Sequence, residues 1–225
     1  MLLEVNGLTR EFKRGSAFFK AVDEVSFSVD SKEFVSIVGR SGSGKSTLLN
    51  MIAGLLRPSG GSIFLDGKEI LNCNDAEGSY FRNSRIGYVP QGQSILSNFS
   101  VIDNVRLPVF LSKRSGDPTD RAFSLLEQVG ISHLSNSYPA QLSGGELKRA
   151  AIARALINSP EILIADEPTS SLDLQTTREI LKLFTLLSEE GTSILTVTHE
   201  PEVSAYCKRT LIMEDGKLLQ GNTSS

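Results

Sequence analysis

Tryptophan is absent from this sequence, and cysteine is, with histidine, the scarcest residue present. Its 225 residues include no tryptophan and only two cysteines, Cys73 and Cys207, which stand far apart and form no C-x-x-C pair. This pattern excludes a disulfide framework and a cysteine-bound zinc site. It is typical of a protein from a reducing, cytosolic setting.

Long apolar runs and an N-terminal signal are missing as well. No run approaches the roughly 18 apolar residues that a membrane-spanning helix needs. The first residues, MLLEVNGLTREF, include an acid early and lack the apolar core of a signal peptide. We therefore expect a soluble chain, for which any membrane-spanning part would come from a partner.

An excess of basic residues is the third absence. The formal net charge is −3, so no electrostatic footprint for nucleic acid is present and no nucleic-acid partner is expected. The composition, 40% hydrophobic and 22% charged, suits a single compact domain over residues 1–225.

Short apolar segments alternate with helical patterns along most of the chain. We predict strands at residues 2–5, 22–29, 34–38, 62–65, 86–89, 162–165 and 193–197, and a final hairpin at 211–213 and 218–219. We predict helices at residues 101–111, 117–129, 146–157 and 172–190. This alternation indicates an α/β fold with a mainly parallel sheet. Residues 91–159 show no convincing strand, which predicts a helical subdomain inserted into a core formed by residues 1–90 and 160–225.

The segment GRSGSGKS fits the pattern G-x-x-x-x-G-K-[ST] at every fixed position, between a predicted strand and a helical pattern. Glycines let a backbone wrap a phosphate, and the N–H groups at a helix start attract anions. Lys45 would reach the β- and γ-phosphates of ATP, and the Ser46 hydroxyl would bind Mg²⁺. The alternative is a glycine- and serine-rich turn with a surface lysine. The predicted nucleotide-binding residues are Gly39, Arg40, Ser41, Gly42, Ser43, Gly44, Lys45, Ser46 and Thr47.

Two adjacent acids end the apolar segment ILIA. Asp166 and Glu167 would be costly at the end of a buried strand unless they had partners or a function. Ligands of α/β sheets gather at this edge, so Asp166 is predicted to hold Mg²⁺ through water and Glu167 to polarise the attacking water. The alternative is a pair of solvated loop acids.

The segment LSGGE is a second glycine-rich helix start. Ser143 and Glu146 fit a capping box, so one interpretation is a well-capped helix. Gly144 and Gly145 are unfavourable in a first helical turn, however, and bare backbone at a helix start suits a phosphate. One nucleotide needs only one helix start that binds its phosphates, and this chain has two. The second one favours two copies that meet head to tail, each completing the other's site.

These motifs together resemble the nucleotide-binding subunit of an ATP-binding-cassette (ABC) transporter over essentially the whole chain. GRSGSGKS resembles Walker A, ILIADE resembles Walker B and LSGGE resembles the signature, whose usual last residue is Gln rather than Glu146. Gln91 in YVPQ resembles the Q-loop glutamine, which contacts Mg²⁺ and water. Asp173 in SSLD resembles the D-loop aspartate and His199 in THE the switch histidine, a γ-phosphate contact.

The resemblance implies a P-loop NTPase fold with an N-terminal antiparallel β subdomain. It also implies ATP hydrolysis between the two cassettes of a homodimer, with Ser143, Gly144, Gly145 and Glu146 facing the nucleotide of the opposite copy and Asp173 near the two-fold axis. The cassette would lie on the inner face of the cell membrane and power a separate integral-membrane permease. The sequence AVDEVSF and the short C-terminus resemble the macrolide-export and lipoprotein-release branch, which favours export or mechanotransmission.

Several residues carry weaker predictions. Phe12 is predicted to stack on adenine, with Phe18 and Phe19 as alternatives. The basic residues from Lys148 to Arg154 are predicted to form a solvated helix face. Residues 93–105 mix apolar and small polar residues and are predicted to dock the permease, the alternative being packing within the helical subdomain.

Two other classes of protein remain as rivals. A soluble ABC ATPase acting on ribosomes or DNA usually has two cassettes, coiled coils or zinc modules, whereas this chain has one signature and no C-x-x-C. A P-loop NTPase without transport, such as a kinase, is disfavoured by LSGGE and His199.

Overall fold

The computed structural model describes residues 1–71, 75–92, 94–112 and 116–219. The strands are β1 Leu3–Arg14, β2 Ala17–Val29, β3 Phe34–Val38, β4 Gly60–Leu65, β5 Lys68–Glu69, β6 Ile86–Val89, β7 Ile162–Asp166, β8 Ser193–Thr198, β9 Arg209–Glu214 and β10 Lys217–Leu219. The α-helices are α1 Lys45–Ile52, α2 Asp75–Arg85, α3 Val101–Leu111, α4 Thr119–Gln128, α5 Gly144–Leu156 and α6 Leu174–Glu189.

A six-stranded sheet in the order β10-β9-β3-β8-β7-β6 forms the centre of the molecule, and all its neighbouring strands are parallel except β10 and β9. Strand β7 is apolar on both faces because each face is covered. Ile162 and Ile164 pack in one hydrophobic core with α1 and the N-terminal strands, whereas Leu163 and Ala165 pack in a second core with α3 to α6. The predicted parallel α/β sheet is confirmed.

A second sheet, β2-β1-β4-β5, is antiparallel and packs its apolar face on the first core. Strands β1 and β2 are much longer than predicted, since their pairing continues to Arg14 and Ala17 around a turn at Gly15. The sequence patterns at 2–5 and 22–29 cover only the buried part of this ribbon. Its tip is charged and exposed, so no hydrophobic alternation marks it.

Helices α3, α4 and α5 follow one another between β6 and β7, and α3 has the predicted bounds. Helix α4 is shorter than predicted and α5 begins two residues earlier, at Gly144. Helix α2 was not predicted, because its sequence DAEGSYFRNSR contains few apolar residues. The C-terminal hairpin of β9 and β10 is confirmed. In the described part of the chain, no helix is long and apolar enough to cross a membrane.

The predicted site residues converge because several parallel strands end at one edge of the sheet. Strands β3, β6, β7 and β8 end just before Gly39, Gln91, Glu167 and His199 respectively. This edge is where ligands of open α/β sheets bind.

Candidate nucleotide site

The glycine-rich loop between β3 and α1 is held tightly against its own protein. Gly44 is the N-cap of α1 with φ of 103°, and a Cβ there would lie 2.1 Å from the carbonyl oxygen of Ala21. Only glycine satisfies both constraints. The Lys45 ammonium is buried and donates to the carbonyl oxygens of Gly39 at 2.8 Å and Arg40 at 3.0 Å. The loop therefore wraps around the Lys45 side chain, which its own carbonyl groups hold in place.

This loop leaves donors free for an anion. The first N–H groups of an α-helix have no partner within the helix, and the first turn of α1 contains no acidic residue that would occupy them. The buried Ser43 hydroxyl also has no hydrogen-bond partner among the described residues. A phosphate is the kind of ligand that such a set of donors fits.

The acid Asp166 lies beside the loop at the end of β7. The Ser46 hydroxyl donates to its Oδ1 atom at 3.0 Å. Burial raises the pKa of Asp166, whereas the Ser46 hydrogen bond and the nearby ammonium groups of Lys45 and Lys148 oppose that rise. The structure thus brings together a hydroxyl and a carboxylate oxygen, which are the hard ligands that Mg²⁺ prefers.

Glu167 has a backbone conformation that glutamate rarely adopts. Its φ is +47°, in the left-handed region, and its side chain is 9% exposed. The Nδ1 atom of His199 lies 3.0 Å from Oε2 and 3.1 Å from Oε1 of this carboxylate. His199 is 58% exposed, so it reaches the buried carboxylate from the solvent side. The sequence predicted both residues but not their contact.

A cavity of about 500 Å³ extends from the loop to the tip of the β1–β2 ribbon. Phe12 and Phe19 both line it, whereas Phe18 does not. The rings of Phe12 and Phe19 are stacked with centroids 5.8 Å apart, and the guanidinium carbon of Arg10 lies 4.7 Å from the Phe12 centroid. Aromatic faces at one end and anion-binding groups at the other suit a nucleotide.

Other residues of this cavity were not found from the sequence. Lys20, Ala21, Asp215 and Gly216 line it next to the loop, and Gln91 and Glu167 line it on the sheet side. The four missed residues come from the ribbon and from the β9–β10 turn. They follow no local motif, and only the tertiary structure places them here.

The LSGGE segment stands apart from this cavity. Ser143 is exposed and caps α5, with its Oγ accepting from the Glu146 N–H at 3.4 Å. The Oε2 atom of Glu146 accepts from the Ser143 N–H at 2.7 Å and from its hydroxyl at 2.8 Å. These bonds lower the pKa of Glu146. None of the four predicted signature residues lines the nucleotide cavity of its own chain.

Packing against α6 explains why position 145 of this segment is a glycine. A Cβ on Gly145 would lie 2.6 Å from Cγ2 of Thr176 in α6. Thr176 is itself fixed, because its hydroxyl donates to Asp173 at 2.5 Å and its N–H at 3.0 Å. Asp173 is thus the N-cap of α6. Gly144 has no comparable restriction, since a Cβ there would make only an ordinary contact at 3.4 Å with Leu172.

The prediction that the basic residues of α5 form a solvated face was wrong. Lys148 is buried, and Arg149 donates to the Val129 carbonyl at 2.9 Å and to Glu179 at 2.7 Å. Arg154 donates to the carbonyl and hydroxyl oxygens of Ser94 at 2.7 and 2.9 Å. The sequence shows a basic stripe, but packing of α5 among its neighbours turns these cations inward.

The predicted docking segment divides into two parts. Leu96 and Phe99 are each 43% exposed, whereas Val101 and Val105 are buried in the core beneath α3. Gln93 lies outside the described residues. Among the described residues of this segment, the exposed apolar side chains are therefore those of the loop before α3.

Comparison with known proteins adds a family. The profile of the ABC transporter family matches residues 22–170. The chain is 41% identical over 215 residues to the macrolide export ATP-binding/permease protein MacB of Chlorobaculum tepidum, covering 96% of this chain and 33% of that protein. It is 38% identical to the uncharacterized ABC transporter ATP-binding protein YvrO of Bacillus subtilis, covering 97% of this chain and 96% of that protein. The chain therefore spans about a third of the MacB length but nearly all of YvrO.

Solved structures match over the whole chain. A dimeric structure of MJ0796, a bacterial ABC transporter cassette, has a TM-score of 0.92 and 33% identity, with both chains fully covered. A dimeric, post-hydrolysis structure of the same cassette bound to ADP and Pi has a TM-score of 0.89. The family resemblance and the P-loop NTPase fold are both confirmed. By these matches the chain belongs to the ABC transporter family, as one of its ATP-binding and ATP-hydrolysing cassettes.

Proposed function

We propose that two copies of this chain bind and hydrolyse two ATP molecules between them, and that closure of the pair drives a membrane permease. The observation that carries this proposal is the separation of two half-sites within one chain. The loop and Glu167 line one cavity, with Asp166 bonded to Ser46 and His199 in contact with Glu167. The exposed Ser143 helix start does not line this cavity. A two-fold axis would let each copy complete the other's site.

In this proposal the residues of the cavity have distinct roles. Lys45 and the N–H groups at the start of α1 bind the β- and γ-phosphates, and the ring of Phe12 or Phe19 stacks on adenine. The Glu167 carboxylate accepts a proton from the attacking water as a general base. The Nδ1 atom of His199 lies 3.0 Å from that carboxylate, so a hydrogen bond between them would keep it oriented.

Mg²⁺ is part of the proposal because the donor set fits it. Ser46 and Asp166 offer two hard oxygens 3.0 Å apart, and the Gln91 amide lines the same cavity. Mg²⁺ usually takes only one or two protein ligands beside phosphate and water oxygens. When bound, it would neutralise charge on the transferred phosphoryl group.

The second copy would supply the signature. Ser143, Gly144 and Gly145 would face the γ-phosphate held by the partner copy, and Glu146 would keep the helix start in shape. Asp173 caps α6 next to this segment, so it would lie near the axis. The dimeric structures of MJ0796 support this assembly.

The permease and the location also belong to the proposal. The MacB relative is named an ATP-binding/permease protein, and the YvrO relative is named an ABC transporter ATP-binding protein. We infer that this chain works with an integral-membrane permease on the inner face of the cell membrane, in export or mechanotransmission. Residues 91–159 would act as a helical subdomain between the nucleotide-binding parts, 1–90 and 160–225.

The loop before α3 is the proposed permease contact. Leu96 and Phe99 are exposed there, and Arg154 binds the neighbouring Ser94 to α5, the helix that Ser143 caps. A partner on this loop would therefore be linked mechanically to the signature helix. Exposed apolar side chains on such a loop are typical of a protein contact.

Cross-linking of the intact complex tests the proposal. In a background with both native cysteines replaced by Ser, Ser97→Cys and Asn98→Cys should cross-link to the co-expressed permease. The matched control, Ser124→Cys on the exposed side of α4, should not. Cross-links from Ser124→Cys alone, or from none of the three, would contradict the assigned contact.

A further inference from the structure

Lys148 is a buried cation that has no role in the mechanism proposed above. It lies on α5, the helix that Ser143 caps, and its residue is 9% exposed. Its ammonium lies 3.5 Å from the carbonyl oxygen of Glu167. Among the described residues it has no carboxylate partner within 4.0 Å. A lysine buried without an ion pair is costly for stability, so its presence needs an explanation.

The charged groups that interact with Lys148 are the two acids at the end of β7, Asp166 and Glu167. Burial lowers the pKa of Lys148, while Asp166 and Glu167 oppose that change. In return, Lys148 and Lys45 both favour the ionised form of Asp166. Asp166 therefore interacts with two cations, one from the phosphate-binding loop and one from the signature helix, and Glu167 interacts with the second of them.

Lys148 also contacts the backbone of Glu167. The left-handed φ of +47° at Glu167 is unfavourable for a residue with a Cβ, so neighbouring groups must hold it. The Glu167 carbonyl accepts from the Ser170 hydroxyl at 2.9 Å and the Ser170 N–H at 3.2 Å, with the Lys148 ammonium at 3.5 Å as a third donor. Of these three donors, only Lys148 comes from another element. The Glu167 N–H itself donates to the Val197 carbonyl of β8 at 2.9 Å, so Lys148 supports the turn from the opposite, carbonyl end of this residue.

We propose that Lys148 is a positioning residue, which holds the Glu167 turn from the signature helix so that the carboxylate is aligned for hydrolysis. This proposal rests on the proposed function, in which Glu167 is the general base. A misplacement of about 1 Å in a reacting group can reduce turnover by about 10²-fold, so a small shift of this turn would matter.

The connection has a consequence for the assembled pair. Ser143 and Lys148 are on one rigid helix, which rises about 1.5 Å per residue. A displacement of α5 on contact with the partner's nucleotide would therefore move the ammonium against the Glu167 turn. Each copy's catalytic acid would respond to whether its own signature helix has engaged the opposite site.

A purely structural role makes a different prediction. Lys148 also lines a cleft of about 440 Å³ between α5, the loop after β6 and the loop before α6. If the side chain only filled space there, Lys148→Met would have no effect on turnover. If it anchored α5 in the fold, the substitution would lower the melting temperature.

The first experiment compares kinetics and stability of three variants. Lys148→Met should lower kcat by about tenfold or more and leave KM for ATP within about twofold, because alignment acts on the chemical step. Its melting temperature should be unchanged or higher, since removal of a buried charge in favour of an apolar isostere is often neutral or stabilising. Lys148→Arg should restore most of the turnover. Arg149→Met, on the same helix but paired with Glu179, should keep wild-type kcat.

The second experiment separates alignment from damage to the signature helix. With Mg²⁺ and ATP, the double variant Lys148→Met/Glu167→Gln should dimerise as well as Glu167→Gln alone, measured by light scattering. Weaker dimerisation would assign Lys148 to the shape of the helix and overturn the proposal. So would a Lys148→Met kcat within about twofold of wild type, or a melting temperature lowered by more than about 5 °C, a shift on the order of 1–2 kcal/mol. Retained turnover in Glu167→Gln alone would instead refute the proposed function, so the two failures are distinguishable.

Discussion

The two glycine-rich helix starts of this molecule are opposites in construction. At the start of α1, the glycines take conformations and close contacts that exclude other residues, and the lysine is drawn into the loop by its own carbonyls. At the start of α5, the backbone is ordinary, and Ser143 and Glu146 satisfy each other in a capping box at the surface. Aromatic rings and acids line the cavity at the start of α1, whereas Ser143 at the start of α5 is exposed to solvent.

The difference shows which helix start can bind a nucleotide alone. The loop before α1 has donors, a cavity and a buried cation, so it can hold phosphate within one chain. At the start of α5, Gly144 has room for a side chain, and among the described residues the cleft that it lines contains neither an aromatic ring nor an acid. The ligand of this helix start must be brought by another molecule, and a second copy of this chain carries such a ligand. Substitutions that disrupt one helix start at a time test this comparison.

The largest effect on binding should come from the enclosed helix start. Lys45→Ala removes a charge from the β- and γ-phosphates, and charge-assisted hydrogen bonds contribute about 1.5–3 kcal/mol each, so ATP affinity should fall roughly 10- to 100-fold. Nucleotide titration of the purified chain measures this. Lys182→Ala, on the exposed face of α6, is the matched control. Unchanged affinity in Lys45→Ala would contradict the phosphate-loop assignment.

Damage to the exposed helix start should spare binding and reduce hydrolysis. Ser143→Arg places a bulky cation where the partner's nucleotide would arrive, so ATPase activity should fall by about tenfold or more. Affinity of the monomer for nucleotide should not change. Ser132→Arg, an exposed position outside both sites, controls for the added charge. Normal ATPase activity in Ser143→Arg would mean that each chain hydrolyses ATP without the other's signature.

The smallest effect concerns the capping box. The folded-state pKa of Glu146 lies below its ordinary value of 4.5, because Ser143 donates to the carboxylate. Its contribution is therefore fully present above pH 4.5 and is lost as the pH falls through the lowered pKa. Glu146→Ala should cost about 1 kcal/mol in urea unfolding at pH 7, and this difference should shrink below pH 4.5. A difference independent of pH would show that packing, not the carboxylate, sets the effect.

The sequence was sufficient where local pattern and burial coincide. Strand β7 is apolar from Ile162 to Ala165 because both its faces are covered, and the loop at Gly44 needs glycine for its conformation, so both were predictable. The length of the β1–β2 ribbon was not, because pairing rather than hydrophobicity extends it. Lys148 was assigned to solvent, since a basic stripe carries no sign of which neighbours will bury it.

The central claim is that ATP joins two copies through opposite helix starts. In Glu167→Gln the phosphate-binding donors remain but the general base is lost, so ATP should bind while turnover falls by about 10²–10⁴. With the bridging nucleotide preserved, this variant should accumulate as a dimer when Mg²⁺ and ATP are added, and return to monomer when they are removed. Light scattering across a range of protein concentrations measures it directly. A variant that remains monomeric with ATP at every accessible concentration would contradict the shared-site account.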